Sequence, residues 1–488
     1  MKKVLALTLA VIMMLTVLVS CNDKDETPAQ TTAAETTTAA TTADPAKPLS
    51  DKLYVGYGRA NITPRDENGS VMPVKLSGYP DERIANKIIS DLFTSCTAVR
   101  DEEGDTVLLF TVDSLHPYAE LIGNIRTRVS RATGISAKNI IITATHNHSA
   151  PEVNEGMNDA SRRYLENIFY KGFVDAGKAA IEDIALCTEL YTGTLDGTGL
   201  NFIRRYVVDR GKLKHEIEGD HTMPVIRFVR EGKKDVILAN WSAHCDTTTL
   251  QDFYAVSGDF YYYFTQLAEE KLNAHVSLFN GNSGDVNPFS RIESENVFGK
   301  NSRAIGRGLA QVLIDNISTL QKINIVGDVE VSTKSLKLEV EHSRDADKAK
   351  AEEVLRLFNA GDGGSYSRKC KEYGISDYAE AIRIITNCNR GATENMPVSA
   401  VSLGNIVFAT AGYEMLTKTG MDIRANSKFD FTFVCGYTNG HNGYIPAEYS
   451  FPNGAYEVGS CRYIKGTAEK IQAELNALMD KLHADIYG

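Results

Sequence analysis

Cysteine is scarce and scattered in this chain of 488 residues: eight in all, at positions 21, 96, 187, 245, 370, 388, 435 and 461, with no CxxC pair among them. That spacing excludes a zinc ribbon, whose thiolates come in closely spaced pairs. With Cys21 set aside, seven remain, and an odd number leaves at least one thiol unpaired even outside the cytoplasm. Positive charge is short too: 52 Lys and Arg stand against 63 Asp and Glu, a formal net charge of -11. No basic stripe exists to displace counterions from phosphate, which excludes nucleic acid as a partner and a polybasic grip on anionic membrane. There is no internal repeat, and beyond residue 19 no apolar run is long enough to span a bilayer.

What is present begins with a leader. Lys2 and Lys3 form a short positive region, residues 4–19 are apolar, and Leu18-Val19-Ser20-Cys21 places small residues just before a cysteine. This reads as a bacterial lipoprotein signal over residues 1–21, with Cys21 as the lipidated N-terminus. It places the protein outside the cytoplasm, lipid-anchored to the bacterial cell membrane. Residues 22–50 are rich in Thr and Ala and carry almost no large apolar side chain, so they cannot offset their ordering entropy. They read as a disordered tether ahead of a folded part at 51–488.

From residue 52 onward short apolar strands alternate with amphipathic helices. Strands are expected at 107–112, 139–144, 225–229, 236–241 and 275–279, and helices at 119–132, 164–182, 260–272, 302–317, 346–359 and 465–482. Continuous apolar runs are those of strands buried on both faces. The fold class is α/β, one large catalytic domain with mixed β-sheets flanked by helices.

Chemistry gathers where the strands end. After the run at 139–144 comes Thr145-His146-Asn147-His148-Ser149-Ala150-Pro151. Histidines two apart share a side of an extended chain, and neutral imidazole is a preferred zinc ligand. A hydrogen-bonded loop pair is the plainer reading of the same residues. A second strand, 236–241, runs into Ser242-Ala243-His244-Cys245-Asp246, where Cys245 reads as a small buried apolar residue. A third, 275–279, opens into Asn280-Gly281-Asn282-Ser283-Gly284-Asp285-Val286-Asn287-Pro288, whose glycines permit close backbone approach.

Taken together, these pieces resemble the neutral/alkaline, non-lysosomal ceramidases. Gly56-Tyr57-Gly58-Arg59-Ala60-Asn61-Ile62-Thr63-Pro64 is similar to that family's opening G-x-G-R-A-x-I-T-P strand. Residues 145–151 resemble its T-H-T-H-S-G-P signature, and Asn240-Trp241-Ser242-Ala243-His244 its N-W-x-x-H element. Tyr413-Glu414-Met415 through Ile423-Arg424 resembles a glutamate-bearing helix motif, and Gly443-Tyr444 through Glu448-Tyr449 a G-Y-x-x-x-x-E-Y element. The five elements keep their order over about 50 to 465.

The resemblance implies a zinc site made by His146, His244, Glu414 and Tyr444, the last with the alternative of a buried phenol beside the metal. It implies that His148 faces the substrate and exchanges protons or holds the scissile group, and that Arg204, or its neighbour Arg205, binds substrate. Tyr449 or Tyr456 is the corresponding substrate-contacting tyrosine. Where the family reads G-D-x-S-P, this chain has Gly284-Asp285-Val286-Asn287-Pro288. An asparagine cannot form an acyl-enzyme, so the expected reaction is attack by a zinc-activated water, with Asn287 donating to the developing oxyanion. The family's immunoglobulin-like C-terminal domain is not found after the helix at 465–482. The expected activity is hydrolysis of an amide (N-acyl, ceramide-like) or ester bond in a small-molecule or lipid substrate. A zinc amidase or deacetylase for cell-wall or glycan substrates, and a non-catalytic surface lipoprotein that binds, are the alternatives.

Overall fold

The computed structural model describes residues 50–80, 82–154 and 156–488, so the readings made for the leader, Cys21 and the tether up to residue 49 lie outside the described residues. The larger sheet has nine strands: β1 (Leu53–Asn61), β2 (Phe93–Asp101), β3 (Thr106–Val112), β4 (Ile140–Ala144), β5 (Ala185–Asp196), β6 (Thr222–Arg230), β7 (Val236–Trp241), β8 (His275–Asn280) and β9 (Gln321–Ile323). Their order is β8-β7-β6-β5-β1-β2-β3-β4, with β9 added to β5. Neighbours run antiparallel except β3–β4 and β7–β8, which are parallel. A smaller sheet joins β10 (Val329–Glu339), β11 (Thr393–Leu403), β12 (Ile406–Ala411) and β13 (Phe431–Cys435) in that order, with β12–β13 parallel. The α/β expectation with mixed sheets holds. Strands β3, β4, β7 and β12 are buried at every position, which is why they read as unbroken apolar runs.

The sheets share a core in which Leu53, Val55, Leu109 and Phe279 meet Val401, Phe408 and Phe433. Helices α1 (Ala119–Thr133) and α2 (Tyr170–Glu182) cover the outer face of the β1–β4 half. Helices α3 (Asp259–Leu272) and α4 (Ser302–Asn316) cover the β6–β8 half. Three helices, α5 (Lys348–Asn359), α6 (Gly363–Tyr373) and α7 (Tyr378–Asn387), pack on one another in a small core between β10 and β11 in sequence. Helices α8 (Thr417–Ala425) and α9 (Thr467–Tyr487) close the outer face of the smaller sheet. Pro48–Gly488 is one compact unit, and no helix among the described residues is long and apolar enough to cross a membrane.

The opening glycine motif belongs to packing. On β1 the side chains of Leu53, Val55 and Tyr57 enter the shared core, while Gly56 and Gly58 face α2. A Cβ at position 56 would lie 2.0 Å from the Ala180 carbonyl oxygen, and one at 58 would lie 2.1 Å from that of Ala176. The two glycines let the helix lie directly on the strand. The helix expected at 164–182 begins earlier, at Asp159 under an Asn158 cap, and widens to a π turn over Leu165–Phe169 before α2. The wider turn brings both Leu165 and Phe169 into the core. The cysteines at 96, 187, 245, 370, 388, 435 and 461 are all free, and all but Cys388 are buried.

Candidate metal centre

The three parallel strand pairs of the two larger sheets carry the centre. Loops leaving β4, β7, β12 and β13 bring in His146 and His148, His244, Glu414, and Tyr444, and these side chains meet at one point. Groups that gather outside the carboxyl ends of parallel strands follow the general rule for α/β sheets. Glu414 precedes α8 rather than lying in it; its backbone pairs in parallel with Tyr444, and its N–H donates to the Gly443 carbonyl at 3.0 Å. The loop after β8 packs backbone to backbone against this segment. A Cβ at Gly284 would lie 2.5 Å from the Glu414 carbonyl oxygen, so a side chain there would displace the carboxylate's anchor.

His146, His148 and His244 each offer one ring nitrogen, and these three atoms lie within 4.8 Å of one another. His146 holds a left-handed backbone conformation, φ 61°, rare for a residue with a Cβ and typical of strain kept at functional sites. Its Nδ1–H donates to the Leu115 carbonyl at 3.2 Å, and that of His244 donates to the Ser283 carbonyl at 2.8 Å. In the neutral form of each ring, Nε2 is then a bare lone pair. The two Nε2 atoms point at Glu414 Oε2 from 3.3 and 3.5 Å. His148 Nε2 lies 3.3 Å from His146 Nε2, and the Tyr444 hydroxyl 3.1 Å from His244 Nε2.

This arrangement lacks hydrogens where it needs them. Glu414 Oε2 is buried without a hydrogen-bond partner, facing two imidazole lone pairs. Such a set repels itself unless a cation sits among the donors, and two imidazoles with a carboxylate suit zinc. Charge states agree with that use. Burial disfavours the Glu414 carboxylate, but the imidazoles gathered around it outweigh this and hold it well below the usual range. Burial and the nearby Arg204 guanidinium bring His244 down to about 4, and burial with the neighbouring histidines pushes His148 well below 6.5. Neutral imidazoles next to an ionised carboxylate are ready for a metal.

Each expected ligand is held from behind. Leu115 and Ser283 fix the two histidines, His441 Nε2–H donates to Glu414 Oε1 at 3.1 Å, and Arg204 Nη2 donates to the Tyr444 hydroxyl at 2.8 Å. Outer partners of this kind orient metal ligands. His148 differs: its Nδ1 is buried and unpartnered, and the residue is only half-buried.

The other expected residues divide. Arg204 reaches the centre through Tyr444 and is paired with Glu457 at 2.9 Å. Arg205 turns away to Glu216, Glu457 and the Gly454 and Ser450 carbonyls, a structural network. Tyr456, 42% exposed, stands edge-on to the Tyr444 ring at 5.5 Å. Tyr449 packs against the core beside the smaller sheet, its hydroxyl buried and unpartnered. Asn287 pairs its backbone with Phe202, and the neighbouring Val286 carbonyl accepts the His244 N–H at 2.9 Å. Its Oδ1 is buried with no partner.

Three residues near the centre went unread in the sequence. His441 holds Glu414, His116 stacks on His441 with ring centroids 3.6 Å apart, and Tyr437 stacks on His146 at 4.2 Å. His116 follows β3 as His146 follows β4, so the same post-strand signal was available for it. His441 lies three residues before Tyr444, inside a glycine-bounded loop.

No family model matches this chain, and no curated protein sequence matches it either. Solved structures do. Neutral ceramidase from Pseudomonas aeruginosa superposes with a TM-score of 0.68 at 14% identity, covering 90% of this chain and 75% of that one. A ceramidase complexed with C2 gives 0.65 at 13% identity, covering 89% and 75%. At such identity the shared property is architecture, and the resemblance read from the five motifs holds at that level: the protein is built on the neutral ceramidase fold.

Proposed function

We propose that the protein is a zinc-dependent hydrolase that cleaves an amide, of the N-acyl, ceramide-like kind, or an ester. The observation that carries this reading is the buried, unpartnered Glu414 Oε2 facing the bare Nε2 atoms of His146 and His244. In this reading His146, His244, Glu414 and Tyr444 hold the ion. A zinc ion so held supplies Lewis acidity and lowers the pKa of water to about 7 in favourable sites. His148, neutral and without an Nδ1 partner, takes a proton at Nε2 and returns it to the leaving group. Arg204 keeps the Tyr444 hydroxyl turned to the centre. The Asn287 amide donates to the oxyanion, and since asparagine is no nucleophile the acyl group passes to water directly. Tyr456 borders the substrate. Cleavage of ceramide-like amides is supported by the names of the two structural relatives. The leader ending at Cys21 supports a lipid-anchored enzyme outside the cytoplasm, acting on lipid or small-molecule substrates.

Elemental analysis of the purified protein tests the metal, with about one zinc per chain expected. His146→Ala and His244→Ala should each lose most of it; full zinc in both variants overturns the assignment. A panel of N-acyl sphingosines, N-acyl amino acids and acetylated amino sugars, with and without chelator, tests the substrate. Chelator-sensitive release of acetate alone would point to a deacetylase.

A further inference from the structure

Glu414 has two oxygens with different tasks, and something has to decide which faces the histidines. Oε2 faces His146 and His244, whereas Oε1 accepts a hydrogen bond from His441 Nε2–H at 3.1 Å. The two histidines flanking the carboxylate already spend their Nδ1–H groups on Leu115 and Ser283. Of the groups that touch the Glu414 side chain, His441 is thus the donor, and a one-sided donor fixes a carboxylate's rotation about its last bond.

His441 is itself held. Its ring lies flat on that of His116, centroids 3.6 Å apart and planes 12° from parallel. Burial pushes both rings below the ordinary histidine range, so neither brings charge into the centre. The Nδ1 atoms of both rings are buried and unpartnered, so His116 steadies His441 by stacking rather than by a hydrogen bond. On its other side His441 lines a cavity of about 670 Å³ with Tyr118, Asn442 and Arg462.

We infer that His441 is a positioning residue: it presents Glu414 to the metal through one oxygen, and His116 keeps it in register for that task. This rests on the zinc reading above. Loss of an outer partner of this kind typically weakens metal binding by about 10–100-fold. Zinc affinity, measured by competition with a chelator on the full chain, is the readout. His441→Ala should bind zinc about 10–100-fold more weakly. His441→Gln, whose amide N–H reaches the same oxygen, should recover at least half of that loss on a logarithmic scale. Added imidazole should strengthen zinc binding in His441→Ala and leave the wild-type protein unchanged, since the adjoining cavity gives it a way in. His116→Phe, which keeps the stack, should resemble wild type, while His116→Ala should not. At saturating zinc, kcat should fall in His441→Ala with KM unaltered.

The failures separate. If wild type binds zinc and His441→Ala binds it equally well, the inference is overturned and the zinc reading stands. The same holds if Gln does no better than Ala while both variants melt alike, because a merely structural histidine would give that result. If wild type binds no zinc, both fall together.

Discussion

Replacing Glu414 by glutamine at pH 8 distinguishes two accounts of the same short distances. If the Nδ1–H groups of His146 and His244 are committed to Leu115 and Ser283, Glu414 Oε2 faces lone pairs and the metal-free centre is under electrostatic strain. A glutamine amide then places an N–H where only acceptors met, and its oxygen still accepts from His441. Relief of one unsatisfied buried group is worth about 1–3 kcal/mol. For a unit of roughly 440 residues the unfolding entropy is about 0.9 kcal/mol/K, so the variant should melt about 1–3 °C higher in chelator. With zinc the order should reverse. Ligand at a thousand times its dissociation constant adds about 4.1 kcal/mol, or about 4–5 °C, to wild type, and the variant lacks the anionic ligand. Differential scanning calorimetry in the two conditions should show the melting points crossing. The opposing account makes His146 an imidazolium paired with Glu414, and removing one partner of a buried ion pair costs about 3–5 kcal/mol. A variant that melts lower than wild type in chelator would refute the lone-pair argument.

Asn287→Ala should cut turnover by about a hundredfold or more through weaker oxyanion stabilisation, and rapid mixing should show no acyl-enzyme burst in either protein. Burial raises the Asp113 carboxyl from 3.8 to about 7, although Phe93 N–H and the Thr145 hydroxyl donate to it. The folded protein therefore binds the extra proton between about pH 4 and 7, and that contribution to stability falls as pH rises through the window. Asp113→Asn should match wild type near pH 4 and be the more stable by pH 8, by up to about 4 kcal/mol in urea unfolding. Equal stability difference at both pH values would refute this. Tyr456→Ala should raise KM with zinc content and melting point unchanged, whereas Tyr449→Ala should lower the melting point first; the reverse pattern would exchange their roles.

The parts of the centre that sequence could show are those tied to a strand's end. His146, His148 and His244 stand two to four residues beyond apolar runs, and the runs themselves announce burial. Glu414 too stands three residues beyond an apolar run, Ile406–Ala411, but that run went unread, and Glu414 and Tyr444 were both reached through family motifs. The choice between Arg204 and Arg205 depends on which way each side chain leaves a two-residue strand, and only Glu216, Glu457 and Tyr444 in place decide it. In the smaller sheet β12 was legible and went unread, whereas the edge strand was hidden. Strand β10 reads Val-Glu-Val-Ser-Thr-Lys-Ser-Leu-Lys-Leu-Glu, half-exposed and polar, and it is a strand because β11 lies beside it. His441 needed the Glu414 carboxylate in view before a lone loop histidine meant anything.

The donors of the centre are far apart along the chain: His244 and Tyr444, whose side chains touch, are 200 residues apart. On the exported reading the chain folds after it leaves the cytoplasm, and these donors have to be brought together across that separation. Until the smaller sheet forms, the three histidines exist without the carboxylate and the phenol that complete the set. Their loops leave the larger sheet, whereas Glu414 and Tyr444 arrive with the last strands of the smaller one. A metal caught early would meet imidazoles alone, on a half-folded chain that holds it weakly and exchanges it freely. On the zinc reading, retention begins only when the second sheet docks, so the ion kept is decided by the folded protein and not by whichever cation met the unfolded chain first.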